Sequence, residues 1–239
     1  MRFVLISRSG KRKLVDSSKD IHTDKGVIPK SKIKPGKLKT HKGEEYVIAH
    51  PGLDDLVESM RMGAKPLFGY DTSIFAYLLG LKRGKSIIEA GTGSGGSAIV
   101  FANYIHPGQV YTFEKDERFY NIAKRNISEA GVDNVQLVND DVREASRYVS
   151  KVDAIFLDLQ NPDDLIPELV DLLVDGGRIG VYTPIFDSIK PVWKELENQG
   201  FVSINAIELG FRKIVVKKYA RFSQRLFGFP GFFVWGTKF

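Results

Sequence analysis

A chain of 239 residues with a 43% hydrophobic fraction is long enough for one main domain and a small appendage. It contains no cysteine, which excludes a disulfide framework and a thiolate zinc site. Its net charge is +6, no apolar run approaches the roughly 20 residues that span a bilayer, and no signal-peptide pattern opens it. The expectation is a soluble, cytoplasmic protein without a membrane partner.

The charge is uneven. Residues 1–45 carry about 13 Lys and Arg against about 5 acidic residues, leaving the remainder near neutral. Such a segment suits a nucleic-acid partner or a solvated arm, and charge alone does not choose between them. Within it, residues 3–7 predict a strand, Lys11-Arg12-Lys13 a basic turn, and Tyr46-Val47-Ile48 a second strand ended by Pro51-Gly52. A small basic β-rich domain over residues 1–60 follows from this, with a catalytic domain over 61–239.

From residue 86 strands and helices alternate. Strands are predicted at 86–89, 110–114, 135–139, 154–158, 178–182, 202–209 and 232–237. Helices are predicted at 97–104, 117–130 (ended by Gly131), 166–173 (closed by Asp175-Gly176-Gly177) and 189–198. Repeated βα units imply an α/β, Rossmann-like, doubly wound and largely parallel sheet.

The first predicted strand runs into Gly91-Thr92-Gly93-Ser94-Gly95-Gly96 and then a helix, where the backbone turns tightly and can approach a ligand. This pattern also satisfies a dinucleotide fingerprint. Glu114 ends the next strand, 19 residues after Gly95, where a carboxylate can accept both ribose hydroxyls of a nucleoside cofactor. Glu89, just before the loop, suits a cationic ligand better than a diphosphate, favouring S-adenosylmethionine over NAD. In Asn139-Asp140-Asp141-Val142, Asp141 is the candidate partner of the adenine amine, with helix capping as the alternative. Asp158, at the carboxyl end of the fourth strand, would emerge beside the methyl donor. If the acceptor is adenine N1, its carboxylate can support the cation forming on the ring; otherwise it caps the next helix.

Tyr70 is a candidate for stacking on a base or for packing at a domain junction. The interleaved basic and apolar residues from Arg212 to Arg221, with Arg225 beyond, suit phosphate contact or protection of a strand edge. His22, His41, His50 and His106 lack ligand spacing, so no metal site is predicted.

The chain resembles the tRNA adenine-58 N1-methyltransferases of archaea and bacteria, from about residue 44 to 239. The resemblance is carried by Glu45-Tyr46-Val47-Ile48 through Pro51-Gly52-Leu53-Asp54-Asp55, by Tyr70, by Ile88-Glu89-Ala90-Gly91-Thr92-Gly93-Ser94-Gly95, and by Asp158-Leu159-Gln160-Asn161-Pro162. It implies a class I methyltransferase fold and methyl transfer from S-adenosylmethionine to N1 of adenine 58, with 57 as a second target, in the tRNA T-loop. It also implies a homotetramer, Asp158 and Tyr70 as catalytic residues, and Glu89, Gly91, Gly93, Gly95, Glu114, Asp141 and Asp158 as donor-binding residues. Gln160 stands where the family has proline, Asp71-Thr72-Ser73 where it has Pro-Lys-Asp, and Gly228-Phe229-Pro230-Gly231 where it has Gly-His-Thr-Gly. Two rival readings are a carboxyl methyltransferase of the isoaspartate-repair type and a catalytically silent RNA-binding subunit.

Overall fold

The structure is a computed structural model that describes residues 2–63, 67, 69–212, 214–216, 218–223 and 231–239. Two compact units make up the chain, Met1–Arg61 and Met62–Phe239.

In the first unit the strands are β1 (Arg2–Ser7), β2 (Arg12–Asp16), β3 (Ile21–Thr23), β4 (Gly26–Ile28), β5 (Gly36–Lys39) and β6 (Glu45–Ala49). Four of them form an antiparallel sheet in the order β2-β1-β6-β5, and β3 and β4 form a separate hairpin. Alternation places Phe3, Leu5, Val15, Tyr46 and Ile48 in one core. The expected basic turn is corrected here: Arg12 and Lys13 belong to β2, and Gly10, at φ +80°, makes the turn. Ser7 and Lys11 close that turn, with Ser7 N donating to Lys11 O at 2.9 Å. Arg12 reaches the buried Asp55 of helix α1 (Leu53–Glu58) through two parallel hydrogen bonds of 2.6 Å.

The second unit runs α2 (Gly69–Leu78), β7 (Ile87–Ala90), α3 (Gly96–Ile105), β8 (Val110–Phe113), α4 (Glu117–Ala130), β9 (Val135–Val138), β10 (Val152–Leu157), α5 (Ile166–Leu169), β11 (Leu173–Thr183), α6 (Ile189–Asn198), β12 (Phe201–Glu208), β13 (Ile214–Val216), β14 (Ala220–Phe222) and β15 (Phe232–Lys238). Its seven-stranded sheet has the order β12-β15-β11-β10-β7-β8-β9. The five strands from β7 to β11 pair in parallel, and β15 lies antiparallel between β11 and β12. α4 is bounded as its sequence dictates: Asp116 caps it by accepting from Arg118 N at 2.9 Å, and Gly131 ends it at φ +71°.

The helix expected over 166–173 is broken. A 3-10 turn (Pro162–Leu165), the single turn of α5 and a second 3-10 turn (Val170–Leu172) replace it, and Leu173 already belongs to β11. Pro162 and Pro167 each remove a backbone donor there. The register passes from Val152↔Leu173 to Ala154↔Arg178, so Asp175-Gly176-Gly177 bulges within β11 instead of closing a helix.

The chain winds outward from β7 through β8 to β9, then returns to place β10 on the other side of β7. That reversal, at the carboxyl ends of β7 and β10, is where open α/β sheets bind ligands. One sheet face carries Ile88, Ile155, Leu157, Ile179 and Val181 against Leu165, Val192 and Leu196. The other face packs Phe156 against Phe75, Phe101 and Phe233.

Candidate active site

Gly91, Gly93 and Gly95 take φ of +91°, +55° and +86°, a region that strains any residue with a Cβ. At Gly91 a Cβ would lie 2.1 Å from the main-chain oxygen of Asp158, so the loops after β7 and β10 meet at that point. The loop is tied to β8 as well. Glu114 accepts from Gly93 N and Asp116 N through its two oxygens, each at 2.9 Å, and the Thr92 and Thr112 hydroxyls lie 2.6 Å apart.

Glu89 and Asp158 are brought close together. Glu89 is 1% exposed, and among the described residues neither of its carboxyl oxygens has a hydrogen-bond partner. Burial pushes Glu89 up to about 8; the nearby Thr112 hydroxyl opposes this, and the charges of Asp158 and Glu114 add to it. Asp158 follows β10, its main-chain N–H donating to Ala90 O at 2.9 Å. Burial pushes its carboxyl up to about 7. Asp158 does not cap the next turn, because Asn161 occupies that cap position, at φ +50°.

A cleft of about 440 Å³ opens between these loops, lined by Gly91, Glu114, Asp141, Leu159, Gln160 and Asn161 among others. Asp141 lines it while also capping the 3-10 turn Val142–Arg147, accepting from Arg143 N at 3.1 Å. Asp141 is thus a capping residue that also lines the cleft. Asn139 supports the same corner by donating to Glu114 O at 2.7 Å.

Tyr70 lies in the first turn of α2, 36% exposed, with its ring 4.3 Å from that of Phe211. Sequence reasoning missed two residues, Asp71 and Tyr182. Asp71 is 8% exposed and burial pushes it up to about 6. Tyr182 is pushed up to about 12 by burial, then by the charges of Asp158 and Asp71. An acid in a helix's first turn reads as a partner of the helix dipole, and a tyrosine in a strand reads as core. The available signal was Tyr182's place at the carboxyl end of a parallel strand.

Other candidates lie elsewhere. Arg212 stacks over Phe222 at 5.3 Å, and Ile214, Val216 and Phe222 of the β13–β14 hairpin are exposed. Lys213, Lys217, Arg225 and Gly228-Phe229-Pro230 fall outside the described residues. His41 accepts from Val27 N at 3.1 Å, a structural role, and among the described residues no cluster of His, Asp and Glu could hold a metal ion. No helix among them is long and apolar enough to cross a membrane.

The family model for the tRNA methyltransferase complex GCD14 subunit matches residues 51–226. The chain belongs to that family. It is 26% identical over 260 residues to a Methanocaldococcus jannaschii protein named tRNA (adenine(57)-N(1)/adenine(58)-N(1))-methyltransferase TrmI, covering 96% of this chain and 92% of that one. To the Thermus thermophilus tRNA (adenine(58)-N(1))-methyltransferase TrmI it is 27% identical over 212 residues, covering 85% and 83%. Among solved structures, a Thermotoga maritima SAM-dependent O-methyltransferase superposes with a TM-score of 0.85 at 28% identity, covering 99% of this chain and 92% of that one. The Aquifex aeolicus tRNA (m1A58) methyltransferase TrmI superposes with a TM-score of 0.81 at 22% identity, covering 100% and 97%, and shows the shared fold.

Proposed function

We propose that this chain transfers a methyl group from S-adenosylmethionine to N1 of adenine 58 in the tRNA T-loop, with adenine 57 as a second target. One observation carries the reading: the buried Glu89 and the half-buried Asp158 lie near each other at adjoining strand ends with no cation against them among the described residues. Uncompensated carboxylates in a low-dielectric site are unfavourable until a cation arrives. A sulfonium donor carrying an ammonium group is such a cation, whereas a dinucleotide would bring more negative charge.

The residues present fit that donor. Gly91, Gly93 and Gly95 allow close main-chain approach, Glu89 faces its positive charge, Glu114 has lone pairs left for ribose hydroxyls, and Asp141 stands in the cleft to accept from the adenine amine. When bound, the donor supplies a methyl group already activated on sulfur, so that transfer moves one positive charge onto the acceptor base. Asp158 accepts a hydrogen bond from the exocyclic amine of that base and stabilises the charge developing on its ring. Its main chain, fixed to Ala90, holds it beside the glycine loop. N1 lies on the Watson–Crick edge, so the target base must leave its stack to enter. Tyr70, on the first turn of α2, stacks on it, and the basic residues 1–45 hold phosphates. Homo-oligomer formation belongs to the same proposal, supported by exposed Ile214, Val216 and Phe222.

The test is methyl transfer from labelled S-adenosylmethionine to an unmodified tRNA transcript, followed by nucleoside analysis, with Asp158→Ala alongside. N1-methyladenosine formed by the wild type and lost in the variant is the expected result. Tight tRNA binding without donor binding or transfer would overturn it in favour of a silent RNA-binding subunit.

A further inference from the structure

The carboxyl end of β11 leads into an exposed apolar ledge that the proposed reaction does not use. β11 lies beside β10 with Leu157↔Val181 in register, so the residues after Thr183 leave the sheet at the same edge as Asp158. Ile185 and Phe186 follow there, 59% and 69% exposed. Local bonds hold them: Thr183 Oγ1 accepts from Ile185 N at 3.2 Å, and Ile185 O accepts from Ser188 N at 3.2 Å. The Phe186 ring meets that of Phe232 at 5.3 Å and 77°, an edge contact that leaves ring surface open. The ledge continues into α6, where Phe186, Ile189, Pro191 and the stems of Lys190 and Lys194 line an open depression of about 760 Å³. Lys190 and Lys194 stand one helical turn apart, about 6 Å along the axis. Among the described residues no salt bridge engages either of them. The acids of α6 bond elsewhere, Glu195 with Asn198 and Gln199, and Glu197 with the Trp193 indole. Asp187, the one acid in the lining, sits before the first turn of α6, where free N–H groups favour a negative charge.

We propose that Phe186 is a stacking platform for a nucleotide adjoining the target adenine, with Lys190 and Lys194 holding the phosphates that lead away from it. This rests on the proposed reaction, in which the target base leaves its stack and uncovers the faces of its neighbours. An open aromatic face accepts any base, and two cations along one helix ridge match a run of phosphates. A two-fold contact between copies of the chain through this ledge would instead set lysines against lysines.

Binding of unmodified tRNA, followed by fluorescence anisotropy, tests it. Phe186→Ala should weaken tRNA binding about 10- to 100-fold while donor affinity and the thermal midpoint stay at their wild-type values. Phe186→Trp should keep the affinity and quench 2-aminopurine placed beside adenine 58, a signal that a packing role would not give. The double variant Lys190→Gln/Lys194→Gln should lower the slope of log Kd against log salt by about 1.4, about 0.7 for each phosphate. Phe186→Ala should leave that slope unchanged. Wild-type tRNA affinity in Phe186→Ala, or an unquenched probe, would overturn the proposal. So would a loss of affinity that accompanies a smaller oligomer in sedimentation, which would make the ledge a contact between copies. Methyl transfer by the wild type with unaltered tRNA binding by the variants would refute the platform and leave the proposed reaction standing. Weakened binding by the variants of a protein that transfers no methyl group to tRNA would do the reverse.

Discussion

Asp158→Asn isolates the charge that the proposed chemistry requires. Asparagine keeps the shape and a carbonyl acceptor, so what disappears is one negative charge beside the base. Opposite unit charges about 4 Å apart interact by about 4 kcal/mol at an effective dielectric of 20. The residual amide dipole returns part of that, which leaves a loss of about 10²- to 10³-fold in the chemical step. The sign with pH follows from the raised Asp158 carboxyl, pushed up to about 7 by burial. Only the ionised form supports the cation, so the wild-type rate climbs as pH rises toward 7 and levels above it. In the variant the contribution of Asp158 to that limb vanishes. Single-turnover transfer from saturating donor to tRNA, followed from pH 5.5 to 9, reads the step directly. A rate within about fivefold of wild type, with donor and tRNA both bound, would refute the role of Asp158 as charge support.

Glu89→Gln should weaken donor binding at least tenfold by calorimetry, yet stabilise the ligand-free protein. The folded carboxyl, pushed up to about 8, lies above its unfolded value, so the wild type loses stability as pH rises from about 4.5 to 8. The thermal midpoint of the variant should exceed that of wild type at pH 8 by on the order of 5–10 °C, about 3 kcal/mol, and match it near pH 4.5. Equal midpoints at pH 8 would remove the buried charge from the argument. Gly91→Ala places a methyl group 2.1 Å from a main-chain oxygen in a left-handed conformation. Donor binding should be lost and stability should fall by about 3 kcal/mol, measured by denaturant titration. Binding of tRNA should weaken by at least tenfold between 50 and 200 mM salt, because residues 1–45 are strongly basic. A flat salt response would assign that segment to a solvated arm.

The elements that could be read in advance are those with local instructions. Helix α4 is framed by Asp116 and Gly131, and α6 spans the ten residues its periodicity requires. Where long-range pairing overrides local preference, the sequence misleads. Asp175-Gly176-Gly177 looks like a helix stop, but β11 must stay paired with β10 across it, so it bulges. Lys11-Arg12-Lys13 looks like a surface turn, but buried Asp55, distant in sequence, engages Arg12 from within β2. The same division runs through the site. Gly91, Gly93, Gly95 and Glu114 sit on a contiguous strand–loop–helix–strand unit and announce themselves by spacing. Asp71 and Tyr182 are separated by more than a hundred residues, and only the packing of α2, through Phe75, against Tyr182 of β11 brings their elements together.

The acids also differ in what surrounds them, and that difference is invisible in the sequence. Asp116 and Asp55 are held below the usual carboxylate range by Arg118 and Arg12. Glu89, Asp158 and Asp71 are pushed above it, to about 8, 7 and 6, because burial acts on them without a cationic partner. A fold selected for stability alone would pair such groups or replace them with apolar side chains of similar size. Keeping three of them without a cation among the described residues makes sense if a positive charge arrives with the ligand and remains with the product. In the proposed reaction that charge passes from sulfur to the base without leaving the neighbourhood of Asp158. The destabilisation of the empty site should therefore be relieved equally by the cationic donor and by a tRNA carrying N1-methyladenosine. The neutral demethylated donor should relieve it less, a difference that thermal midpoints at pH 8 with each ligand at matched saturation would show.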